Sequence, residues 1–246
     1  MTGAAQRIGR AIACDLAAAG WSVAVHYRES EAAARDCVTE IERAGGRATA
    51  IRADLTREEE VAGLAPRAAA ALGPLTCLVN NAALFEADSV ATATRASWDA
   101  HMETNLRAPL VLTQALAAGL PEGVEGNVIN IIDQRVWNLT GHFLSYTVAK
   151  SGLWTLTRTL ALALAPRIRV NAIGPGPTLP SQRQTRAQFD RQWAETPLGR
   201  GTTPEEIGAA VRFILTAPAM TGQMIALDGG QHLGWAQARP GAGPEE

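Results

Sequence analysis

The chain has 246 residues, 47% of them apolar and 19% charged, with a formal net charge of −2. That supplies enough apolar material for a full core and excludes a disordered chain. Charges of both signs are scattered, leaving no basic stripe for nucleic acid and no polybasic flank for a membrane surface.

In chain order, Thr2-Gly3-Ala4-Ala5-Gln6-Arg7-Ile8-Gly9 opens a helix expected from about Arg7 to Ala19. Its backbone N–H groups and helix dipole can face a diphosphate, with glycine permitting close approach. A strand from Ser22 to Tyr27 then runs into His26-Tyr27-Arg28-Glu29-Ser30, where an adenosine ribose would lie. His26, Tyr27, Arg28 and Ser30 offer donors to a 2′-phosphate, which points to NADPH; in the blander reading Arg28 and Glu29 are a solvated pair. A helix from Ser30 to Ala44 and a strand from Ala48 to Ala53 lead to Asp54, which either accepts from an adenine amino group or caps the next turn. The helix from Arg57 to Leu72 carries capping-box spacing at Thr56 and Glu59. A strand from Leu75 to Asn80 ends in Asn80-Asn81-Ala82-Ala83, whose small residues let backbone approach a cofactor.

A long helix from Ser97 to Leu120 and a strand from Asn127 to Ile132 follow. The helix from Phe143 to Ala165 contains Tyr146-Thr147-Val148-Ala149-Lys150. At a spacing of four, tyrosine and lysine share one helix face, so the ammonium can hold a ribose hydroxyl and poise the phenol for proton transfer. A strand from Arg167 to Ile173, a helix from Pro204 to Leu215 with a capping box at Thr203 and Glu206, and a strand from Gln223 to Leu227 complete the pattern. Gly20 and Gly45 fit helix stops. Cys14, Cys37 and Cys77, odd in number and set in apolar stretches, read as buried free thiols of a reducing compartment with no metal site. No spanning helix and no signal peptide can be read, so a cytoplasmic location is expected.

Six strands alternating with helices predict one doubly wound α/β domain, a parallel sheet with helices on both faces, over residues 1–235. Residues 236–246, rich in Ala, Gly, Pro and Glu, read as a disordered tail. Such a sheet normally starts with a central strand feeding the phosphate-binding turn, yet that turn begins here at Thr2. The expectation is a chain lacking that first strand, with a gap between the strands from Ser22 and from Leu75 and unpaired backbone at its edges. The alternative is that those two strands close the gap by pairing with each other.

These features together resemble the short-chain dehydrogenase/reductase family, from Thr2 to about Leu233. The resemblance rests on the TGxxxRxG turn, NNAA, the YxxxK pair, Asn105, Pro175-Gly176, and Leu227-Asp228-Gly229-Gly230. It implies a Rossmann-type fold, an NADPH-dependent oxidoreductase, and a homodimer or homotetramer. By the same resemblance Tyr146 is the proton donor, Lys150 binds the nicotinamide ribose and Asn105 supports a water-linked proton relay. Cofactor contacts are implied for Gly3, Arg7, Ile8, His26, Tyr27, Arg28, Ser30, Asp54, Leu55, Asn81, Ala82, Tyr146, Lys150, Pro175, Gly176 and Thr178.

Two departures look like the pteridine reductase branch: Asp133 stands thirteen residues before the tyrosine where most members have serine, and Arg7 replaces the middle glycine of the turn. His26-Tyr27 with Ser30, Phe85, and Asp228-Gly229-Gly230-Gln231-His232-Leu233 look the same way, the last like bacterial dihydromonapterin reductases. This similarity implies a dihydropterin substrate, with Phe85 stacking on its ring, Arg7 bridging cofactor phosphate and substrate, and Asp133 working with Tyr146 in proton delivery. Residues from about Leu179 to Arg200, with Trp193, would form a substrate lid. The alternatives are a related reductase acting on another carbonyl or imine, and an NADPH-binding protein without catalysis.

Overall fold

In the computed structural model, which describes residues 1–181 and 183–234, six short runs rich in β-branched residues form parallel strands. They are β1 (Val23–Tyr27), β2 (Ala48–Arg52), β3 (Cys77–Asn80), β4 (Gly126–Ile131), β5 (Ile168–Pro175) and β6 (Met224–Leu227). The stretch expected to be a tail lies outside the described residues.

Helices cover both faces. On one lie α1 (Arg7–Ala18), α2 (Glu31–Arg43) and α9 (Pro204–Thr216), which bury Ile12, Leu16, Ile41, Ile207, Val211 and Ile214 against β1 and the inner strands. On the other lie α3 (Glu58–Ala62), α4 (Leu64–Leu72), α5 (Arg95–Met102), α6 (Ala108–Gly119) and α7 (Leu144–Leu164), packed through Leu64, Leu112, Leu116 and Leu153. Each fully buried Leu, Ile or Val stabilises by about 1.5–3 kcal/mol, so these two layers carry most of the fold. A short helix, α8 (Arg186–Ala194), stands apart from the layers. Gly20 and Gly45 follow the ends of α1 and α2 with φ of 91° and 85°, the left-handed turn that stops a helix.

Proline explains two departures from the expected helices. The element expected from Arg57 to Leu72 is two helices meeting at Gly63, because Pro66 has no N–H to return to Ala62. The long helix expected from Ser97 starts earlier, on a Thr94–Ser97 capping box, and passes through a π turn at Glu103–Arg107. There Pro109 cannot bond back to Asn105, and the wider turn absorbs the missing bond. The Thr203–Glu206 box forms as expected. The Thr56–Glu59 box does not, because Asp54 Oδ1 takes both the Thr56 N–H and its hydroxyl. Of the three thiols only Cys37 is fully buried; Cys14 and Cys77 are partly exposed.

The sheet falls into two pieces, β1 with β2 and the run β3-β4-β5-β6. β1 and β3 do not pair, so the gap stays open. Met1 and Thr2 span its upper end: the Met1 ammonium donates to Ala24 O at 3.0 Å, His26 N–H donates to Met1 O at 3.1 Å, and Thr2 N–H donates to Val79 O at 3.0 Å. Below them lies a cavity of about 250 Å³. Within the four-stranded piece the register is locked by buried amides, Asn80 Nδ2 donating to Asn130 Oδ1 and Asn130 Nδ2 to Thr157 Oγ1, at 2.8 and 2.9 Å. All parallel strands present their C-terminal ends to one edge, and the candidate site lies there.

Candidate active site

At the ends of β4 and β5 a cleft of about 240 Å³ opens beside α7. Helix spacing puts Tyr146 and Lys150 on the face turned toward it. The Tyr146 hydroxyl donates to Asp133 Oδ2 at 2.9 Å, and Asp133 Oδ1 accepts the Arg135 N–H at 2.8 Å. Lys150 is buried, its Nζ donating to Ile131 O at 2.8 Å and lying 5.7 Å from the Tyr146 ring centroid. Burial pushes its ammonium down to about 8, against the opposing pull of the Asp133 carboxylate.

What holds α7 in place was not legible in the sequence. Phe143 precedes the helix at φ 56°, a left-handed conformation uncommon for a bulky residue. The cap comes from a distant loop: Asp88 Oδ1 accepts the Ser145 N–H at 3.0 Å, Asp88 Oδ2 accepts the Ser145 hydroxyl, and Asp88 O accepts the Leu144 N–H at 3.3 Å. A buried carboxylate at a helix N-terminus satisfies orphan donors and suits the dipole.

Phe85 borders the same cleft. Its ring stacks on Phe143 with centroids 4.3 Å apart and meets the Tyr146 ring edge-on at 4.7 Å. The Arg135 guanidinium carbon lies 5.2 Å from the Phe143 centroid and 6.0 Å from that of Phe85. Asn105, in the π turn, donates to Leu84 O and accepts from Leu84 N–H, at 2.9 and 2.8 Å. Its carboxamide therefore anchors the loop under Phe85. Arg183 closes the loop from outside, donating to Phe85 O at 2.9 Å and pairing with Glu86. Asp88, Phe143, Arg135 and Arg183 escape sequence reading because each acts through a partner far along the chain; the one local signal is the non-helical Gly-His-Phe ahead of the helix.

The nucleotide end of the site departs further from expectation. Gly3, at φ 59°, donates its N–H to His26 Nδ1 at 3.0 Å, and His26 Nε2 meets Ala53 O at 3.0 Å. Both ring nitrogens are thus engaged by backbone and the ring is buried, so His26 braces the turn and is not a donor to a 2′-phosphate. Burial pushes its imidazolium down to about 4. The Thr2 hydroxyl oxygen accepts the N–H groups of Asn81 and Ala82, and Asn81 Nδ2 donates back to Thr2 O and Gly3 O. A Cβ on Gly9 would sit 2.0 Å from Gly3 O, so that position must be glycine.

Arg7, at φ 53°, sends its guanidinium to Leu179 O and Pro180 O at 3.3 and 3.1 Å. It ties the turn to the segment expected to form a lid. Gln6 puts no side-chain cap on α1, which leaves the first-turn N–H groups available to an anion. Arg28 is exposed and 3.2 Å from Glu29; Ser30 is partly exposed and Tyr27 half-buried at the end of β1. Asp54 is spent on its turn with Thr56, which favours the capping reading, and Leu55 is buried in the core. Ile8 lines the cleft opposite Pro175, Gly176 and Thr178, and the Thr178 hydroxyl donates to Gly176 O at 3.0 Å. Over the cleft, α8 starts on a Thr185–Gln188 capping box, and Trp193 Nε1 donates to Pro177 O at 2.8 Å. Among the described residues no group of three or more His, Cys, Asp and Glu could hold a metal ion, and no helix is long and apolar enough to cross a membrane.

Comparison with known proteins gives a consistent placement. A family model described as enoyl-(acyl carrier protein) reductase matches residues 3–232. A 3-oxoacyl-[acyl-carrier-protein] reductase of Synechocystis is 33% identical over 94% of each chain, and an uncharacterized oxidoreductase of Methylorubrum extorquens is 34% identical over 94% of this chain and 95% of its own. Among solved structures, the FolM alternative dihydrofolate reductase 1 of Brucella suis in complex with NADP is 48% identical, with a TM-score of 0.90, over 95% of this chain and 94% of that one. Its counterpart from Brucella canis, also complexed with NADP, is 46% identical with a TM-score of 0.91, over 98% and 96%. The sheet order, the Tyr146–Lys150 pair and these matches agree: the chain belongs to the short-chain dehydrogenase/reductase family of oxidoreductases.

Proposed function

We propose that the protein is an NADPH-dependent reductase of a dihydropterin. The observation that carries this reading is the hydrogen bond from the Tyr146 hydroxyl to the Asp133 carboxylate beside Phe85, at the mouth of the cleft. A carboxylate accepts from the amide and amino N–H groups that a pterin presents, and an aromatic ring suits a flat heterocycle. Simple carbonyl substrates have no such donors. The two Brucella proteins, named alternative dihydrofolate reductases, support the same substrate class.

The residues present fit NADPH. The uncapped N-terminus of α1 would face its diphosphate, with Gly3, Ile8 and the Asn81–Ala82 backbone alongside. Arg28 and Ser30 would take the 2′-phosphate, Lys150 the nicotinamide ribose, and Pro175, Gly176 and Thr178 the nicotinamide side of the cleft. When bound, NADPH supplies a hydride to the carbon of a ring C=N bond. Tyr146 gives its hydroxyl proton to the adjacent nitrogen, and the neighbouring Lys150 ammonium stabilises the phenolate left behind. Asp133 orients the hydroxyl and accepts from the substrate edge. The segment from Leu179, tied down through Arg7 and Arg183, is the lid that excludes water. The assembly is a homo-oligomer, with Val148 and Leu162 among the exposed apolar residues of α7 available for pairing, which light scattering can test.

The decisive experiment follows NADPH oxidation by absorbance with dihydropterins, dihydrofolate and simple ketones in parallel. Turnover of a dihydropterin well above that of any ketone supports the reading. Turnover confined to ketones or 3-oxoacyl thioesters overturns it in favour of the carbonyl chemistry named for the Synechocystis relative.

A further inference from the structure

Two aromatic rings flank Phe85, and only Tyr146 has a part in the chemistry. The backbone of the Phe85 loop is fixed by Asn105 at Leu84 and by Arg183 at Phe85 O. Neither bond sets the plane of the ring, because the side chain still turns about its own two torsions. Phe85 is half-buried at the edge of the cleft, so packing does not enclose it on every side. Its plane is set by ring contacts. Phe143 lies face to face with it, 4.3 Å between centroids and 11° between planes, and Tyr146 meets it edge-on at 4.7 Å. Phe143 is in turn held by the Arg135 guanidinium, 5.2 Å from its centroid. It is fully buried and does not line the cleft, so any effect it has on a substrate passes through Phe85.

The backbone at Phe143 shows that this contact is held against a cost. At φ 56° the residue is left-handed, a conformation that destabilises a bulky side chain and that glycine or asparagine adopts more readily. The start of α7 does not call for an aromatic there. Phe143 O accepts the Thr147 N–H at 2.8 Å, a bond that any residue can accept, and the cap comes from Asp88. The left-handed turn carries the ring onto Phe85, while Tyr146, three residues on, meets the same ring from the helix. Strained residues persist where their surroundings over-determine them, and they cluster at functional sites. We propose that Phe143 is a positioning residue whose ring sets the plane in which Phe85 meets a flat substrate beside Tyr146. This rests on the reading of Phe85 as the platform for the substrate ring.

The test compares Phe143→Leu, which removes the flat face, with Phe143→Tyr, which keeps it. Phe143→Met, a flexible filler of similar size, takes the place of the leucine variant if that chain unfolds. The chain has four phenylalanines, so protein labelled with 4-fluorophenylalanine gives four fluorine resonances, and Phe85→Leu identifies that of Phe85. Phe143→Leu should move the Phe85 resonance by more than its line width, and Phe143→Tyr should leave it near its original place. In steady-state NADPH oxidation, Phe143→Leu should raise KM for the substrate by roughly 3- to 10-fold, the worth of one aromatic pair, with kcat within about twofold. In a Phe85→Ala background the same change should add nothing to KM. An unmoved Phe85 resonance overturns the proposal, and so does a fall in kcat with KM unchanged, which would make Phe143 a support of α7 alone. A KM that shifts as expected for ketones, in a protein that turns over no dihydropterin, upholds the positioning role and overturns the dihydropterin reading instead.

Discussion

Replacing Asp133 by Ser separates pterin chemistry from carbonyl chemistry at a single residue. The carboxylate has two bonds, one to the Arg135 N–H at 2.8 Å and one from the Tyr146 hydroxyl at 2.9 Å. A serine hydroxyl is shorter but still closes the tight turn to the Arg135 N–H, so stability should change by less than about 1 kcal/mol. The charged acceptor for Tyr146 is lost. A hydrogen bond to a charged group is worth roughly 1.5–3 kcal/mol, and each 1.36 kcal/mol is tenfold in rate. On that basis kcat/KM for a dihydropterin should fall by roughly 10- to 150-fold, while ketone turnover rises or holds. The assay is steady-state NADPH oxidation with both substrates, with Tm measured on the same samples. Asp133→Asn, which matches the size without the charge, should lose pterin turnover as well. Undiminished pterin turnover in the folded Asp133→Ser protein would refute the role given to the carboxylate and the substrate assignment with it.

Tyr146→Phe removes the proton donor and little surface, so kcat should drop by about 10²- to 10⁴-fold with NADPH affinity nearly unchanged by fluorescence titration. Arg28→Ala should weaken NADPH by about tenfold and NADH hardly at all; an equal loss for both would show that Arg28 does not read the 2′-phosphate. The low pKa of His26 makes stability depend on pH with a defined sign. The folded protein holds the ring neutral down to about pH 4, whereas the unfolded chain protonates it near its ordinary 6.5. The stabilisation is therefore complete above about pH 6.5 and declines as pH falls toward 4, by about 3 kcal/mol in all. A Tm-against-pH curve for His26→Gln that keeps the wild-type slope would disprove this. Asp88→Ala should cost about 2 kcal/mol, lowering Tm by roughly 4–8 °C, and should reduce kcat more than it raises KM because α7 carries both Tyr146 and Lys150.

Local patterns in the sequence determined the six parallel strands, the helix that follows the Thr-Gly turn, the capping box at Thr203, and the pairing of Tyr146 with Lys150 on one helix face. Periodicity, capping and motif spacing are properties of neighbours along the chain, and they survive without knowledge of the fold. The lack of pairing between β1 and β3 was legible too, because a doubly wound sheet of this kind sets a further strand between them. The contacts of individual side chains were decided only by the tertiary structure. His26 reads as a phosphate donor until its two ring nitrogens are seen bonded to Gly3 and Ala53. The bonds from the Arg7 guanidinium to the carbonyls of Leu179 and Pro180, and the closing of the Asn105 amide on Leu84, have no local signal in the sequence. Asp88 carries no local signal at all, since it caps a helix that begins more than fifty residues downstream. A polar side chain takes whichever partner burial leaves it, and that partner is chosen by packing across the chain.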